Sequence, residues 1–194
     1  MVFQALGKRE QAHEQVIFCS HSETGLKGII AIHSTALGPA LGGCRMRPYK
    51  TEEQALEDVL RLSEAMSYKA ALAGLQLGGG KSVIIADPEK EKVPELLWSF
   101  GVHIESLKGR YIVAKDMGIT MEDLQYIGDQ TSYVVGRPVQ RGGVGDPSRS
   151  TATGVYHGIK SAVKWKLKKD SLKGLRIVIQ GLGAVGSNLL EFLD

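Results

Sequence analysis

The stretch Leu175–Gly186, LRIVIQGLGAVG, joins a short apolar run to a glycine-rich turn. The run is rich in β-branched residues, as in a buried strand, and apolar residues at helical spacing follow the turn. A strand, a Gly-x-Gly-x-x-Gly turn and a helix in this order form the dinucleotide-binding fingerprint, in which backbone and helix N-terminus face a pyrophosphate. The same residues also suit a plain strand-to-helix turn, so this motif alone leaves two interpretations open.

The residues on either side of this stretch predict its domain context. The acidic residue that binds the ribose in such folds lies about 20 residues beyond the glycines, but the sequence ends at Asp194. We therefore expect an incomplete Rossmann domain over residues 141–194, made of a linker helix and a first strand, turn and helix. Residues 1–140 should form a substrate-binding and oligomerisation domain. The predicted fold class is α/β, with a mixed sheet in the N-terminal domain.

The composition excludes several classes of protein. The chain has 194 residues, 43% of them hydrophobic, and a formal net charge of +3. This small charge gives no electrostatic reason to expect nucleic acid or a membrane surface as a partner. No apolar run is long enough to cross a bilayer, and no secretory leader is evident. Two distant cysteines and scattered histidines predict no disulfide framework and no metal site, so we expect a cytoplasmic protein with reduced thiols.

The rest of the chain alternates strand and helix patterns. Thr51 and Gln54 form a capping box before an apolar stripe with a period of 3.6 residues, which predicts a helix to about residue 72. Leu37–Arg45 is too rich in glycine and proline for regular structure and is predicted to be a loop. We further predict a hairpin from residues 15–19 and 28–32, strands at 82–86, 111–113, 132–135 and 175–180, and helices at about 91–107, 120–127 and 151–169.

Three charged residues are candidates for chemistry. Lys81 follows three glycines that would let a ligand approach the main chain, and Lys69 lies at the end of the predicted long helix. Asp116 follows the strand at 111–113 and lies next to a glycine, a good position for proton transfer in a cleft. Taken singly, each has a plain alternative: a surface lysine in a loop for Lys81, and a turn or helix-capping aspartate for Asp116.

Together the motifs resemble the NAD-dependent amino-acid dehydrogenases, most closely the leucine and phenylalanine enzymes. The resemblance extends from about residue 15 to the end of the chain, and its motifs occur in the same order and spacing. They are LGPALGGCRM at 37–46, MSYKAALAGLQLGGGK at 66–81, AKDMG at 114–118, GDPSRST at 145–151 and GLGAVG at 181–186.

The resemblance implies reversible oxidative deamination of an L-amino acid to a 2-oxo acid and ammonia, with NAD as cofactor. By position, Lys81 would activate water and Asp116 would relay protons to and from the amino group, while Lys69 would bind the substrate's carboxylate. Further substrate contacts would come from Leu41, Gly42, Gly43, Met66 and Ala114. Cofactor contacts would come from Thr151 and from the turn residues Gly181, Leu182, Gly183, Ala184, Val185, Gly186 and Ser187.

Two positions bear on the substrate. In glutamate-specific members of this superfamily the place of Leu41 looks to be a lysine that pairs with the substrate's side-chain carboxylate. A buried carboxylate facing leucine would be desolvated without compensation, so we expect an apolar substrate. Ala114 stands where the phenylalanine enzymes tend to have glycine, and its methyl group would narrow the pocket. This favours leucine or another branched-chain amino acid, with phenylalanine as the alternative.

A different class of function stays open. The chain could be a catalytically silent module that keeps the substrate-domain fold and its contacts within a homo-oligomer but binds no NAD. The presence of Lys69, Lys81 and Asp116 favours an enzyme. Because most of the cofactor site would lie beyond Asp194, we expect the chain alone to show no dehydrogenase activity although its substrate cleft is formed.

Overall fold

The computed structural model describes residues 12–137 and 145–194. The chain divides into two compact units, Met1–Val144 and Gly145–Asp194. The division that the sequence predicts, at residue 140, lies outside the described residues. It stays a prediction.

A five-stranded sheet forms the centre of the first unit. Its strands are β1 (Gln15–His21), β2 (Leu26–Ser34), β3 (Ala40–Arg47), β4 (Gly78–Ile85) and β5 (Tyr111–Lys115). They lie in the order β1-β2-β4-β3-β5. β1 and β2 form the predicted antiparallel hairpin, and β2 is also antiparallel to β4. β3 runs parallel to both of its neighbours, so the predicted mixed sheet is confirmed.

Helices cover both faces of this sheet. They are α1 (Glu52–Leu72), α2 (Pro94–Ser106) and α3 (Asp123–Gly128). α1 packs mainly across β2 and β4, and its apolar residues form one core cluster with Ile29, Ala31 and Val83. α2 and α3 contribute to a second, larger cluster that contains Ile84. Since neighbouring strand residues point to opposite faces, Val83 and Ile84 show that the two clusters lie on opposite sides of the sheet.

α1 begins at the residue that the sequence pattern indicates. Thr51 has extended backbone, and its Oγ1 accepts a hydrogen bond of 3.3 Å from the backbone N–H of Gln54. This satisfies one of the free N–H groups of the first turn. The predicted N-cap is therefore confirmed, and the buried residues Ala55, Val59 and Leu60 follow the predicted helical period.

The loop predicted for Leu37–Arg45 is wrong over most of its length, because Ala40–Arg47 forms β3. The glycines that argued against a strand are what allow it here. A Cβ on Gly42 would overlap the carbonyl oxygen of Gly80 on the neighbouring strand. Glycine has a low strand propensity, but the close approach of β3 and β4 at this point requires a residue without a side chain.

Two further predicted strands do not form. The strand at 132–135 is reduced to an isolated parallel bridge between Val113 and Val134. Residues 175–180 pair with no strand in the described part of the chain. A strand exists through its hydrogen bonds to a neighbour, and an apolar run by itself cannot supply one.

The second unit contains α4 (Ser148–Leu167) and α5 (Ala184–Leu193), which pack against each other. α4 begins and ends near the predicted bounds of 151 and 169. Cys19 and Cys44, in the first unit, are both free and buried, and burial raises the pKa of each thiol to about 12. Both thiols are therefore uncharged at neutral pH.

Candidate active site

Lys81 lies in β4 on the face of the sheet that α1 covers. It shares this face with Val83, two residues further along the strand. Its side chain is only 7% exposed. A lysine is rarely buried to this extent without a partner of opposite charge, so the ion pair described below is the feature that accounts for it.

A row of residues crosses the sheet at the level of Lys81. The register pairs Ala31 with Lys81 and Gly43 with Ala114. Between these pairs, Leu41 lies opposite Gly79 and Cys44 lies opposite Ser82, so Gly43 stands beside Lys81. Because Gly43 has no side chain, the chain at Lys115 and Asp116 can lie directly against β3 at this point, next to Lys81. Leu41 lies in the next row on the same face, paired with Ile112.

Asp116 directly follows β5, two residues after Ala114. Its Oδ2 accepts hydrogen bonds from Lys81 Nζ at 2.7 Å and from Arg45 Nε at 3.0 Å. Burial alone would raise the pKa of the Asp116 carboxyl, but the charge and hydrogen bond of Lys81, with smaller contributions from Arg45 and Met117, lower it overall. Asp116 is thus held as a carboxylate. A Cβ on Gly43 would meet Asp116 Cβ at 2.8 Å and Lys115 O at 2.7 Å.

Arg45 and its partners are not among the candidate residues that the sequence predicts. Arg45 Nη1 donates to Asp58 Oδ2 at 2.9 Å, and the Tyr49 hydroxyl donates to the same oxygen at 2.8 Å. Arg45 and Asp58 are 16% and 14% exposed, so the pair is largely shielded from water. A signal was present: Arg45 lies two residues after Gly43 and therefore on the same strand face. It could be used only once residues 40–47 were known to be a strand.

One side of α1 faces β3 and carries the other predicted substrate residues of the helix. Asp58 marks this side through its contact with Arg45. Helical spacing of three and four residues places Met66 and Lys69 on the same side, toward the end of the helix. Met66 is half-buried and Lys69 is exposed. Lys69 forms no ion pair with any of the described residues, and its convergence with Lys81 and Asp116 stays a prediction.

The three glycines of the turn at residues 181–186 have different surroundings. Gly181 has φ +90°, which favours glycine, and a Cβ on Gly186 would overlap the carbonyl oxygen of Gly181. A Cβ on Gly183 would meet nothing within 4 Å, so the backbone is open to approach there. α5 begins directly after Gly183, and Ser187 Oγ donates to Leu182 O at 2.9 Å.

Thr151, the other predicted cofactor residue, lies in the first turns of α4. Its Oγ1 donates to Pro147 O at 2.9 Å, and its side chain is exposed. The hydroxyl oxygen keeps its lone pairs and can accept a hydrogen bond from a ligand. Its role stays a prediction.

Comparison with known proteins identifies the family. The family model described as Glu/Leu/Phe/Val dehydrogenase, dimerisation domain, matches residues 13–133. The chain belongs to this family. The matched region contains the whole Lys81–Asp116–Arg45 cluster. The predicted membership of the amino-acid dehydrogenases, a group of oxidoreductases, is confirmed.

Curated relatives include enzymes with different substrates. The chain is 53% identical over 181 residues to the leucine dehydrogenase of Bacillus subtilis, covering 93% of the chain and 50% of that protein. It is 52% identical to the phenylalanine dehydrogenase of Lysinibacillus sphaericus, covering 93% of the chain and 48% of that protein. The chain thus spans about half the length of the curated relatives it matches. Because the two identities are nearly equal, overall similarity does not decide between the two substrates.

Solved structures agree with the fold. The L-tryptophan dehydrogenase from Nostoc punctiforme matches with a TM-score of 0.75 and 44% identity, over 100% of this chain and 54% of that one. A hetero-hexameric glutamate dehydrogenase from Thermus thermophilus shares the fold with a TM-score of 0.77 at 24% identity, over 99% of this chain and 52% of that one. In residues 12–137 and 145–194, no helix has both the length and the apolar character needed to cross a membrane.

Proposed function

We propose that the chain is part of an NAD-dependent dehydrogenase that converts an apolar L-amino acid, leucine or another branched-chain amino acid, to its 2-oxo acid and ammonia. The observation that carries this proposal is the hydrogen-bonded ion pair of Lys81 and Asp116 beside Gly43. A buried lysine that is hydrogen-bonded to a partly exposed carboxylate supplies the donor and the proton acceptor that an amine-to-ketone conversion requires.

Asp116 is the proposed acceptor of the substrate's proton. The α-amino group is an ammonium at neutral pH and must lose a proton before its nitrogen can form a double bond to the α-carbon. Asp116 is held as a carboxylate by Lys81 and Arg45 and so can accept that proton. The side chain of Asp116 is 26% exposed, so the accepted proton can then leave to solvent.

Lys81 and Lys69 are proposed to act on different parts of the substrate. The ammonium of Lys81 has three donors, of which Asp116 uses one. The others can hold the oxygen of the water that adds to the imine carbon, and the proton that this water loses goes to the carboxylate of Asp116 once Asp116 has released the first proton. Lys69 lies at the end of the same side of α1 and carries an exposed charge suited to the substrate's carboxylate.

Apolar residues support the proposed substrate class. Leu41 and Ile112 form the row next to Gly43 and Ala114, and both are half-buried. Met66 lies on the side of α1 that faces this row. A carboxylate on the substrate's side chain would lose its hydration there without gaining a partner from Leu41 or Ile112, which disfavours glutamate. The methyl group of Ala114 narrows the space, which favours a branched aliphatic side chain over an aromatic ring.

The residues of the second unit fit a dinucleotide. The positive φ at Gly181, the tight approach at Gly186 and the open backbone at Gly183 suit a pyrophosphate placed at the N-terminus of α5. The turn from Gly181 to Ser187 would hold this group, with Thr151 near the nicotinamide. When bound, NAD accepts the hydride that leaves the substrate's α-carbon.

Oligomerisation and location are part of the same proposal. The matching family model is described as a dimerisation domain, which supports a homo-oligomer formed through the first unit. The free, buried thiols of Cys19 and Cys44 agree with a reducing compartment such as the cytoplasm.

The experiment that tests this function has a binding part and an activity part. Calorimetry on the 194-residue chain measures binding of L-leucine, L-valine, L-phenylalanine and L-glutamate. NADH formation with the same amino acids is then measured on a chimera in which Asp194 is joined to the remaining C-terminal part of the Bacillus subtilis relative. We expect the branched aliphatic substrates to give the highest kcat/KM and glutamate to give none.

Matched variants connect this activity to the proposed residues. Lys81→Ala in the chimera should lower kcat by about 1,000-fold or more, since it removes the ammonium that holds the attacking water and pairs with Asp116. Lys27→Ala is the control, because Lys27 is an exposed lysine on the neighbouring β2. Full activity in Lys81→Ala, or a folded chimera that binds NAD but oxidises none of the four amino acids, would contradict the proposal.

A further inference from the structure

Asp116 is held by two cations that differ in kind. Lys81 Nζ and Arg45 Nε both donate to the same oxygen, Oδ2. Lysine is a flexible point charge, whereas arginine is planar, permanently charged and able to donate in two directions at once. In the function proposed above, Lys81 must exchange hydrogen bonds with water and substrate during the reaction. Arg45 has no such role and can keep its hydrogen bonds throughout.

Arg45 is itself fixed from α1. Its Nη1 donates to Asp58 Oδ2 at 2.9 Å while its Nε reaches Asp116, so the guanidinium spans two carboxylates on different elements. The Tyr49 hydroxyl donates to the same Asp58 oxygen. These contacts link α1, β3 and the end of β5. Charged groups shielded to this degree keep their geometry better than exposed pairs, whose side chains move freely in water.

We propose that Arg45 is a positioning residue that holds Asp116 ionised and in one orientation while Lys81 changes hydrogen-bond partners. This inference rests on the proposed function, in which Asp116 exchanges protons with the substrate's amino group. Asp58, which is itself held by Tyr49, fixes the plane of the Arg45 guanidinium. Without Arg45, the carboxylate would be free to rotate each time Lys81 released it.

The electrostatics of Asp116 agree with this role. Burial by itself would raise the pKa of its carboxyl, and Lys81 and Arg45 together bring it below the ordinary value of 3.8. Arg45 keeps its charge at every pH that the protein tolerates, and its own pKa is raised: burial acts to lower it, but the two carboxylates outweigh that effect. Loss of Arg45 therefore removes a constant stabilisation of the ionised Asp116.

The first test needs no enzymatic activity. The carboxyl carbon of Asp116 is followed by NMR across an acid titration of the 194-residue chain labelled with ¹³C-aspartate, and Asp116→Asn assigns the signal. Arg45→Gln should raise the pKa of Asp116 by about one unit or more. Arg47→Gln is the control, since Arg47 lies on the same strand face but contacts neither carboxylate. An unchanged pKa of Asp116 in a folded Arg45→Gln chain would overturn the proposal.

A measurement on the unmodified chain covers the case in which Arg45→Gln does not fold. The ¹⁵Nε signal of Arg45 should shift during the acid titration with the same midpoint as the Asp116 carbon, because the two groups share a hydrogen bond. The signal of Arg47 should not follow that midpoint. An Arg45 signal that ignores the protonation of Asp116 would also overturn the proposal.

Kinetics on the chimera separate positioning from a merely structural role. Arg45→Gln should lower kcat by about tenfold or more and leave KM for L-leucine within about twofold. It should also move the acidic limb of the kcat/KM profile to higher pH by the shift that NMR measures, since both report the free enzyme. Arg45→Lys keeps the charge but cannot span both carboxylates. Its acidic limb should therefore return close to that of the parent, while its kcat stays low. Lower kcat with an unmoved profile would mean that Arg45 only stabilises the fold. If the NMR titrations give the expected results but the chimera shows no dehydrogenase activity, the proposed function is contradicted instead.

Discussion

Gly43 shapes the candidate cleft by having no side chain. Its neighbours across the sheet are Lys81 and Ala114, and Asp116 approaches from the end of β5. Any side chain at this position would displace Asp116 or the backbone of Lys115, since even a Cβ comes within 2.8 Å of them. The position of the reactive carboxylate beside Lys81 thus depends on the absence of a side chain at Gly43.

Leu41 should determine which side chain the cleft accepts. Leu41→Lys introduces a cation in the row next to Gly43, where it can pair with a substrate carboxylate. We expect kcat/KM of the chimera for L-leucine to fall by about tenfold or more, and L-glutamate to become a substrate, because about 1–3 kcal/mol of transition-state binding is redistributed. NADH formation measures both. Leu37→Lys, at an exposed position before β3, is the control and should change neither. If Leu41→Lys still prefers L-leucine to L-glutamate as strongly as the parent, Leu41 does not line the pocket for the substrate's side chain.

Asp116 and Asp58 should make the first unit sensitive to acid. The pKa of each carboxyl is lowered, although burial opposes this: Lys81 and Arg45 lower that of Asp116, and Tyr49, Arg61 and Arg45 lower that of Asp58. A carboxyl with a lowered folded-state pKa stabilises the fold above its unfolded pKa and loses that contribution as the pH falls through the folded value. The free energy of unfolding should therefore decrease below about pH 3.8, the ordinary pKa of an aspartate carboxyl.

Denaturant unfolding at several pH values checks this dependence. Fluorescence of Trp98 reports on the first unit when Trp165, in the second unit, is replaced by phenylalanine. Asp116→Asn cannot titrate and should show a shallower loss of stability toward acid than the parent. Asp170→Asn, which removes an exposed carboxylate of the second unit, is the control. If the free energy of unfolding falls equally steeply toward acid in Asp116→Asn and the parent, the ionised Asp116 does not contribute to the stability of the first unit.

At the scale of elements, α1 is specified by its own sequence. Thr51 caps its first turn, and its buried stripe follows the helical period. β3 is the opposite case, since Leu41-Gly42-Gly43 has poor strand propensity and becomes a strand because β4 and β5 supply hydrogen-bonding partners on both sides. Neighbours in the fold can override propensity in strands more readily than in helices, whose hydrogen bonds are internal.

Removing the cap of α1 should have a measurable cost. Thr51→Ala leaves the N–H of Gln54 without its side-chain acceptor and should lower the free energy of unfolding by about 1 kcal/mol. Thr51→Ser keeps the acceptor and should stay within about 0.5 kcal/mol of the parent. The Trp98 assay described above measures both variants. Equal destabilisation by alanine and serine would mean that the hydroxyl is not the relevant group.

At the scale of the whole molecule, the two units differ in how their apolar segments are supported. The strands of the first unit pair within one sheet. In the second unit, the amides of residues 176–180 have no backbone hydrogen bond to any described residue, and Val178 is 92% exposed. Apolar side chains without a sheet or a covering layer cannot protect the backbone from water.

Hydrogen exchange should resolve this difference. We expect the amides of Ile177, Val178 and Ile179 to exchange at nearly the rate of an open chain, while those of Val83 and Ile84 in β4 stay protected for as long as the first unit is folded. NMR or mass spectrometry on the 194-residue chain measures both sets in one sample. Strong protection at residues 177–179 would mean that this segment finds a partner strand within an oligomer.

The sequence by itself determined the family, the hairpin, α1 with its N-cap, and Lys81 and Asp116 as candidates for chemistry. These features depend on residue periods and motif spacing, which are local properties of the chain. Only the tertiary structure decided that residues 40–47 form a strand, that Asp116 lies against Gly43 beside Lys81, and that Arg45 links Asp58 to Asp116. Arg45 and Asp116 are 71 residues apart in the sequence, and Lys81 and Asp116 are 35 apart. Contacts over such separations arise from strand order and register, and no local pattern encodes either.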